Sequence, residues 1–263
     1  MEHRLYIISG KGGTGKTSLA MALAKKLKAE GKKVLYAAFD HDVERDLASK
    51  HIIPYFDTTI EKSCEKYISL KLKSETIASW IMKTPFFSAL FSILPGLGYM
   101  ILLGHYIKEL ENDPELIIVL DSPATGHAKA MIEAPENFKE IFKAGVLVQD
   151  IHKMNSFLFG PGNVKCLVTC LPTEMSLQEG GELTDFFISK GYKESLIVLN
   201  NFLSPELSEH RSFITSKLGA EREIINEFVQ DHKIDLQVPK VFSHEQWEVI
   251  EQISHKIEEG TWL

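Results

Sequence analysis

Short, nearly unbroken apolar runs recur along the chain, at Arg4–Ser9, Lys33–Phe39, Leu116–Asp121, Val164–Leu171, Leu196–Asn200 and Ile234–Val238. Runs of this length without polar alternation predict strands covered on both faces, as in a parallel sheet. Longer stretches with helical spacing of apolar positions lie between them, at Lys16–Glu30, Gly126–Glu133, Glu174–Lys190, Pro205–Gln230 and His244–Glu258. Strand and helix in alternation predict an α/β fold: a mostly parallel, doubly wound sheet with helices on both faces. One interval breaks the rhythm. Residues 58–112 offer no good strand and read as a helical insertion of about three or four helices inside one domain spanning 1–263.

The insertion contains TPFFSALFSILPGLGYMILLGHYI, Thr84–Ile107, with no formal charge between Lys83 and Lys108 apart from His105. Three readings fit. The segment is a buried helical hairpin, broken at Pro95-Gly96 and again at Gly98, or an apolar groove for a partner, or a membrane span. A span needs about 20 apolar residues, and each arm of the hairpin is too short for one. A span would also have to sit between two strands of one sheet.

Composition changes the picture little. The chain has 263 residues, 44% hydrophobic and 25% charged, an ordinary globular mix. Its formal net charge of −7 argues against nucleic acid as a partner, so any anion site must be built locally. Cys64, Cys166 and Cys170 form no CxxC and suggest no zinc site. Few cysteines, and a charged N-terminus running straight into a strand, predict a cytoplasmic protein.

The first candidate chemistry is GKGGTGKTS between the first strand and the first helix. Gly10, Gly15, Lys16 and Thr17 have P-loop spacing, with Lys11, Gly12, Gly13 and Thr14 inside the loop. Glycines let backbone N–H groups close on phosphate oxygens, and the helix N-terminus adds its positive dipole end. Lys16 suits the β- and γ-phosphates of a nucleoside triphosphate, the Thr17 hydroxyl suits Mg²⁺, and Ser18 can reach the α-phosphate. A P-loop needs only Lys16, so Lys11 is an extra cation at the loop's mouth. The second candidate is LIIVLDSPATGH, an apolar strand ending on Asp121, which suits a Walker B carboxylate holding Mg²⁺.

The GKGG-x-GKT form resembles the deviant Walker A of the group containing MinD, ParA, the nitrogenase iron protein and ArsA. SPATGH is similar to the D-T-A-P-T-G-H signature of the ArsA family, which includes the arsenite-pump ATPase and the targeting factor for tail-anchored membrane proteins. Asp121, Thr125, Gly126 and His127 match, whereas Ser122 replaces Thr and Pro123-Ala124 inverts the usual order. VTCLPTEMSLQEGGEL resembles a further family stretch through Pro172, Glu174, Glu179, Glu182 and Leu183.

The resemblance implies an ATPase using ATP and Mg²⁺, closing as a homodimer in which Lys11 of one copy serves the other's nucleotide. It implies that Thr125 and Gly126 sense the γ-phosphate, that Asn200 reads the adenine, and that Pro239 and Val241 wall the base pocket. It further implies an apolar protein segment or membrane-protein client at the helical insertion.

The chain departs from the family after strand two, where AFDHDVERDL keeps Asp40 but lacks Pro-Ala-His. Asp40 is the candidate to orient or deprotonate the attacking water, or else caps the helix starting near Val43. Two other functions stay open: a slow or non-hydrolysing ATP-gated binding switch, and a positioning ATPase of the MinD/ParA kind. Lys25, Lys26 and Lys28 read as solvent-facing.

Overall fold

The computed structural model describes residues 3–39, 42–85, 87, 89, 94, 96–143, 145–204 and 212–258. In chain order the elements are β1 (Leu5–Gly10), α1 (Lys16–Ala29), β2 (Lys33–Ala38), α2 (Asp42–Lys50), α3 (Ile60–Leu72), α4 (Glu75–Met82) and α5 (Leu97–Asn112). There follow β3 (Leu116–Asp121), α6 (Thr125–Phe142), α7 (Val146–Leu158), β4 (Val164–Cys170), α8 (Glu174–Ser189), β5 (Ser195–Phe202), α9 (Ser212–Phe228), β6 (Leu236–Pro239) and α10 (Gln246–Glu258). The six strands form one parallel sheet in the order β2-β3-β1-β4-β5-β6. The expected α/β architecture, with helices on both faces, is therefore present.

Alternation along the strands explains the unbroken apolar runs. In β1, Leu5 and Ile7 join one core with α5, α6, α7 and α8, while Tyr6 and Ile8 join another with α1 and α10. Every residue of β1, β3 and β4 is buried. A strand covered on both sides has no position left for an exposed polar residue.

Several boundaries differ from the sequence expectation. The helix expected at Gly126–Glu133 continues to Phe142 with Pro135 inside it. A proline removes one backbone donor, but apolar residues on either side of it, Met131 and Phe138, are buried in the core and hold the helix through. Helix α7 was not anticipated from the sequence. Gly98 does not break the apolar segment. The break is at Gly96, with φ 86° as the N-cap of α5, and Gly98 lies buried in the first turn that follows. The arm before it falls largely outside the described residues. From Leu97 onward the segment is core, with Leu102, Leu103, Tyr106 and Leu110 fully buried. Among the described residues no helix is long and apolar enough to cross a membrane. Lys25 and Lys26 are half-buried rather than solvent-facing, because α10 packs along α1 and Glu251 pairs with Lys25.

Two of the helices between β2 and β3 begin on side-chain caps. Thr59 accepts from the Lys62 N–H at 3.1 Å for α3, and Ser74 from the Ile77 N–H at 3.3 Å for α4. The far end of α5 is tied to the sheet by Arg4. Its guanidinium donates to the carbonyls of Leu110, Asp113 and Leu116 at 2.6–2.7 Å.

Candidate nucleotide site

The motif residues meet at the C-terminal edge of the sheet, where β1 lies between β3 and β4. In a parallel sheet this edge faces the helix N-termini, which favour anions. Ile8 pairs in register with Asp121, which brings the last residue of β3 beside the start of the loop.

Two of the loop's glycines, Gly10 and Gly15, answer to close neighbours. A Cβ on Gly10, at φ 142°, would lie 2.5 Å from the Thr169 carbonyl oxygen of β4. At Gly15, with φ 92° as the N-cap of α1, a Cβ would run into the Asn200 amide. Both positions exclude larger residues on two grounds, backbone sign and space.

Polar contacts set the loop's shape. The Thr14 hydroxyl donates to the Lys11 carbonyl at 2.8 Å and lies 2.7 Å from the Thr169 hydroxyl, which in turn donates to the Ser9 carbonyl at 3.1 Å. The Lys16 ammonium donates to the Lys11 carbonyl at 3.0 Å, curling over the loop. Burial lowers the Lys16 pKa from its ordinary value, with the Asp121 charge opposing the shift. A lysine held partly dry in this way gains from an added anion.

Thr17 and Asp121 come together, as the motifs required. The Thr17 hydroxyl donates to Asp121 Oδ2 at 2.6 Å, and the Tyr36 hydroxyl of β2 donates to the same oxygen at 3.0 Å. A hydroxyl beside a carboxylate is a hard-oxygen pair of the kind that Mg²⁺ takes, so these residues fit the ion. Tyr36 was missed in the sequence, where a tyrosine in an apolar strand carries no signal of its direction.

Lys11 is not idle within its own chain. Its ammonium lies 2.6 Å from Glu179 Oε1 and 3.0 Å from Met175 Sδ, both on α8. Glu179 belonged to a recognised stretch, but nothing in its spacing pointed to Lys11, 168 residues away.

Asn200 sits buried at the end of β5. Its amide Nδ2 donates to the Thr14 carbonyl at 2.7 Å, so it braces the loop directly. The next residue, Asn201, has φ 60° where a bulge interrupts pairing between β5 and β6. Thr125 opens α6, and its hydroxyl is buried without a hydrogen-bond partner among the described residues. Gly126 is exposed beside it, and Ser18 lies in the first turn of α1. Gly12 and Gly13 are exposed, and no heavy atom would crowd a Cβ at either. Pro239 ends β6, and Val241 packs on the core beneath α1 and α10. Asp40 lies outside the described residues.

The neighbourhood of α6 also touches the helices between β2 and β3. Tyr99 in α5 meets Phe39 edge-on at 5.1 Å and His127 at 5.8 Å between ring centroids.

Comparison with known proteins agrees with this geometry. The model of the CobQ/CobB/MinD/ParA nucleotide binding domain matches residues 5–240. A protein named arsenical pump-driving ATPase 1, from Aquifex aeolicus (strain VF5), is 22% identical over 85% of this chain and 70% of its own length. The ATPase asna-1 of Caenorhabditis elegans is 18% identical over 85% of this chain and 82% of its own. The arsenical pump-driving ATPase 2 of Aquifex aeolicus (strain VF5) is 24% identical over 58% of this chain and 57% of its own. A matched loop, a paired threonine and aspartate, and this spread of similarity converge: the chain belongs to the CobQ/CobB/MinD/ParA nucleotide-binding family and is an ATPase similar to the arsenical pump-driving ATPases.

Proposed function

We propose that the protein is a Mg²⁺-dependent ATPase whose two copies close face to face over ATP, coupling closure to an apolar client at the helices between β2 and β3. The observation that carries the reading is the convergence of Lys16, Thr17 and Asp121 at one helix N-terminus. The β- and γ-phosphates would lie against the loop N–H groups and Lys16. Thr17 and Asp121 would hold Mg²⁺, which offsets charge on the phosphate oxygens when bound. Asn200, with its Nδ2 held by the Thr14 carbonyl, has its oxygen left to accept from the exocyclic amine of adenine. Pro239 and Val241 would flank the base, and Thr125 with Gly126 would respond to the γ-phosphate. Asp40 is the proposed group that positions the attacking water.

Lys11 is assigned to the partner's nucleotide. To reach it, the ammonium must exchange Glu179 for phosphate oxygens. Apolar side chains exposed on α3 and α4, among them Leu72, Ile77 and Trp80, support a client surface. The test is Lys11→Ala. We expect nucleotide affinity within about threefold of the parent, because Lys16 is untouched, and turnover reduced by about a hundredfold or more, by analogy with arginine fingers. Unchanged turnover in this variant, or sedimentation as a single copy with a non-hydrolysable ATP analogue at high protein concentration, refutes the shared site.

A slow ATP-gated switch is the second reading. The ion pair between Lys11 and Glu179 supports it, since a lysine stabilised at home adds a barrier before chemistry. Single-turnover cleavage measured beside ATP-dependent dimerisation separates the two: closure without cleavage favours the switch.

A further inference from the structure

A cavity lies away from the nucleotide site, between α3, α5 and α7, with a volume of about 450 Å³. That is within the range of small-molecule sites. Its apolar lining includes Met100, Gly104, Ile107, Ile151 and Met154. Gly104 stands in mid-helix, where glycine costs stability relative to alanine. A Cβ there would meet only Met154 Sδ, at 3.9 Å, so no neighbouring backbone explains the missing side chain. Methionines on either side add soft, adaptable surface. The hollow is therefore kept open by residue choice at its floor.

The rim is charged. Lys66 pairs with Glu109 at 2.9 Å, and Lys71 pairs with Asp150 at 2.6 Å, with the Tyr67 hydroxyl also donating to Asp150 at 2.8 Å. Lys108 and Lys153 line the cavity without a carboxylate in ion-pair distance among the described residues, opposed there by Glu111. His105 hydrogen-bonds to Ser63 and meets the Lys66 ammonium. Burial, and next the Lys66 charge, lower its pKa and keep it neutral. Four lysines thus face three carboxylates around an apolar floor, in a chain that is acidic as a whole.

We infer that this cavity binds a small amphipathic anion, a chain-like monocarboxylate whose apolar tail lies over Gly104 and whose carboxylate meets Lys108 and Lys153. The assignment is independent of ATP hydrolysis. It differs from the exposed client surface on α3 and α4 in being concave and rimmed by cations.

The test is calorimetric titration of the full chain with dodecanoate below its micelle concentration, beside dodecyltrimethylammonium as the cationic match. We expect saturable dodecanoate binding at a single site and about tenfold or weaker affinity for the cation, since buried tail area is common to both. Gly104→Leu fills the hollow and should weaken dodecanoate by about tenfold or more, with the affinity for a non-hydrolysable ATP analogue unchanged. The double variant Lys108→Glu/Lys153→Glu should abolish the preference for the anionic head. Trp80→Ser should leave dodecanoate binding as it is. Non-saturating heats, equal affinity for the two head groups, or full binding in the Gly104→Leu protein would each overturn the proposal. Loss of binding in Trp80→Ser would do so as well, by moving the ligand to the outer surface. Should Gly104→Leu lose its cooperative melt, the double lysine variant decides alone: an unchanged preference for dodecanoate refutes the site.

Discussion

The phosphate loop and the helices between β2 and β3 rest on the same sheet, yet different forces hold them. The loop is shaped by directional contacts of 2.6–3.0 Å through Thr14, Lys16, Thr17 and Asn200, and by backbone approaches that admit only glycine. Helices α3 to α5 are held by apolar side chains such as Leu102, Leu103 and Tyr106, and they leave Leu70, Leu72, Ile77 and Trp80 about half or more exposed. Directional contacts fix atoms to within a few tenths of an ångström and fail when one partner goes. Apolar packing is summed over many weak contacts and allows more than one arrangement. Chemistry that must place a phosphate sits on the first kind of structure, and shape-tolerant recognition suits the second.

This contrast can be broken by substitution. The largest effect is expected of Lys16→Ala. Removing a charge-assisted partner of the phosphates should weaken nucleotide binding by about 4 kcal/mol, close to a thousandfold, with the melting curve little changed. A fluorescent nucleotide titration checks it. Leu103→Ala should do the reverse. The lost packing in α5 should cost about 3 kcal/mol in urea unfolding and leave nucleotide affinity as it was. If the two variants affect both readouts alike, the regions are not separable.

Alkaline pH addresses both regions together. Burial pushes the thiols of Cys64 in α3 and of Cys166 and Cys170 in β4 up to about 12. The unfolded chain releases these protons near pH 9 while the folded chain keeps them, so stability falls as pH rises through that window. Each thiol contributes about 1.4 kcal/mol per pH unit above the unfolded value. Replacing any one of them with alanine should flatten the alkaline limb of stability against pH. Tyr36→Phe, which removes one donor to Asp121, should lower stability or Mg²⁺-dependent nucleotide affinity by about 1 kcal/mol. The smallest effect is expected of Trp80→Ser, within about 0.5 kcal/mol in unfolding because the side chain is exposed.

What could be read in advance divides along the same line. The six strands were legible because a strand largely covered on both faces is apolar at most positions, with its polar residues confined to a few sites. The loop was legible because its glycines and Lys16 act at fixed spacing. The partners of those residues were not. Tyr36, Thr169 and Glu179 lie far from the loop in sequence, and a tyrosine in β2 or a threonine in β4 says nothing of where its hydroxyl points. The adenine reading of Asn200 missed its donation to Thr14, a contact that depends on the β1–β4–β5 strand order. Pro135 misled in the other direction, since local propensity ends a helix that tertiary burial carries on. The supposed break at Gly98 failed for a like reason. One left-handed glycine at 96 already turns the chain, and the apolar face that follows needs an unbroken helix to fill the core.

Helix α5 is secured unequally at its two ends. Arg4 holds three carbonyls at and beyond its last turn by hydrogen bonds, whereas its first turn is held by packing, with Leu97 and Met100 buried in the core and Tyr99 against Phe39 and His127. A rod of 16 residues, about 24 Å long, thus has one end fixed by directional bonds and the other by side-chain packing. The same rod joins the tip of β2 and the start of α6 at one end to the opposite edge of the sheet at the other, with α3 packed along it.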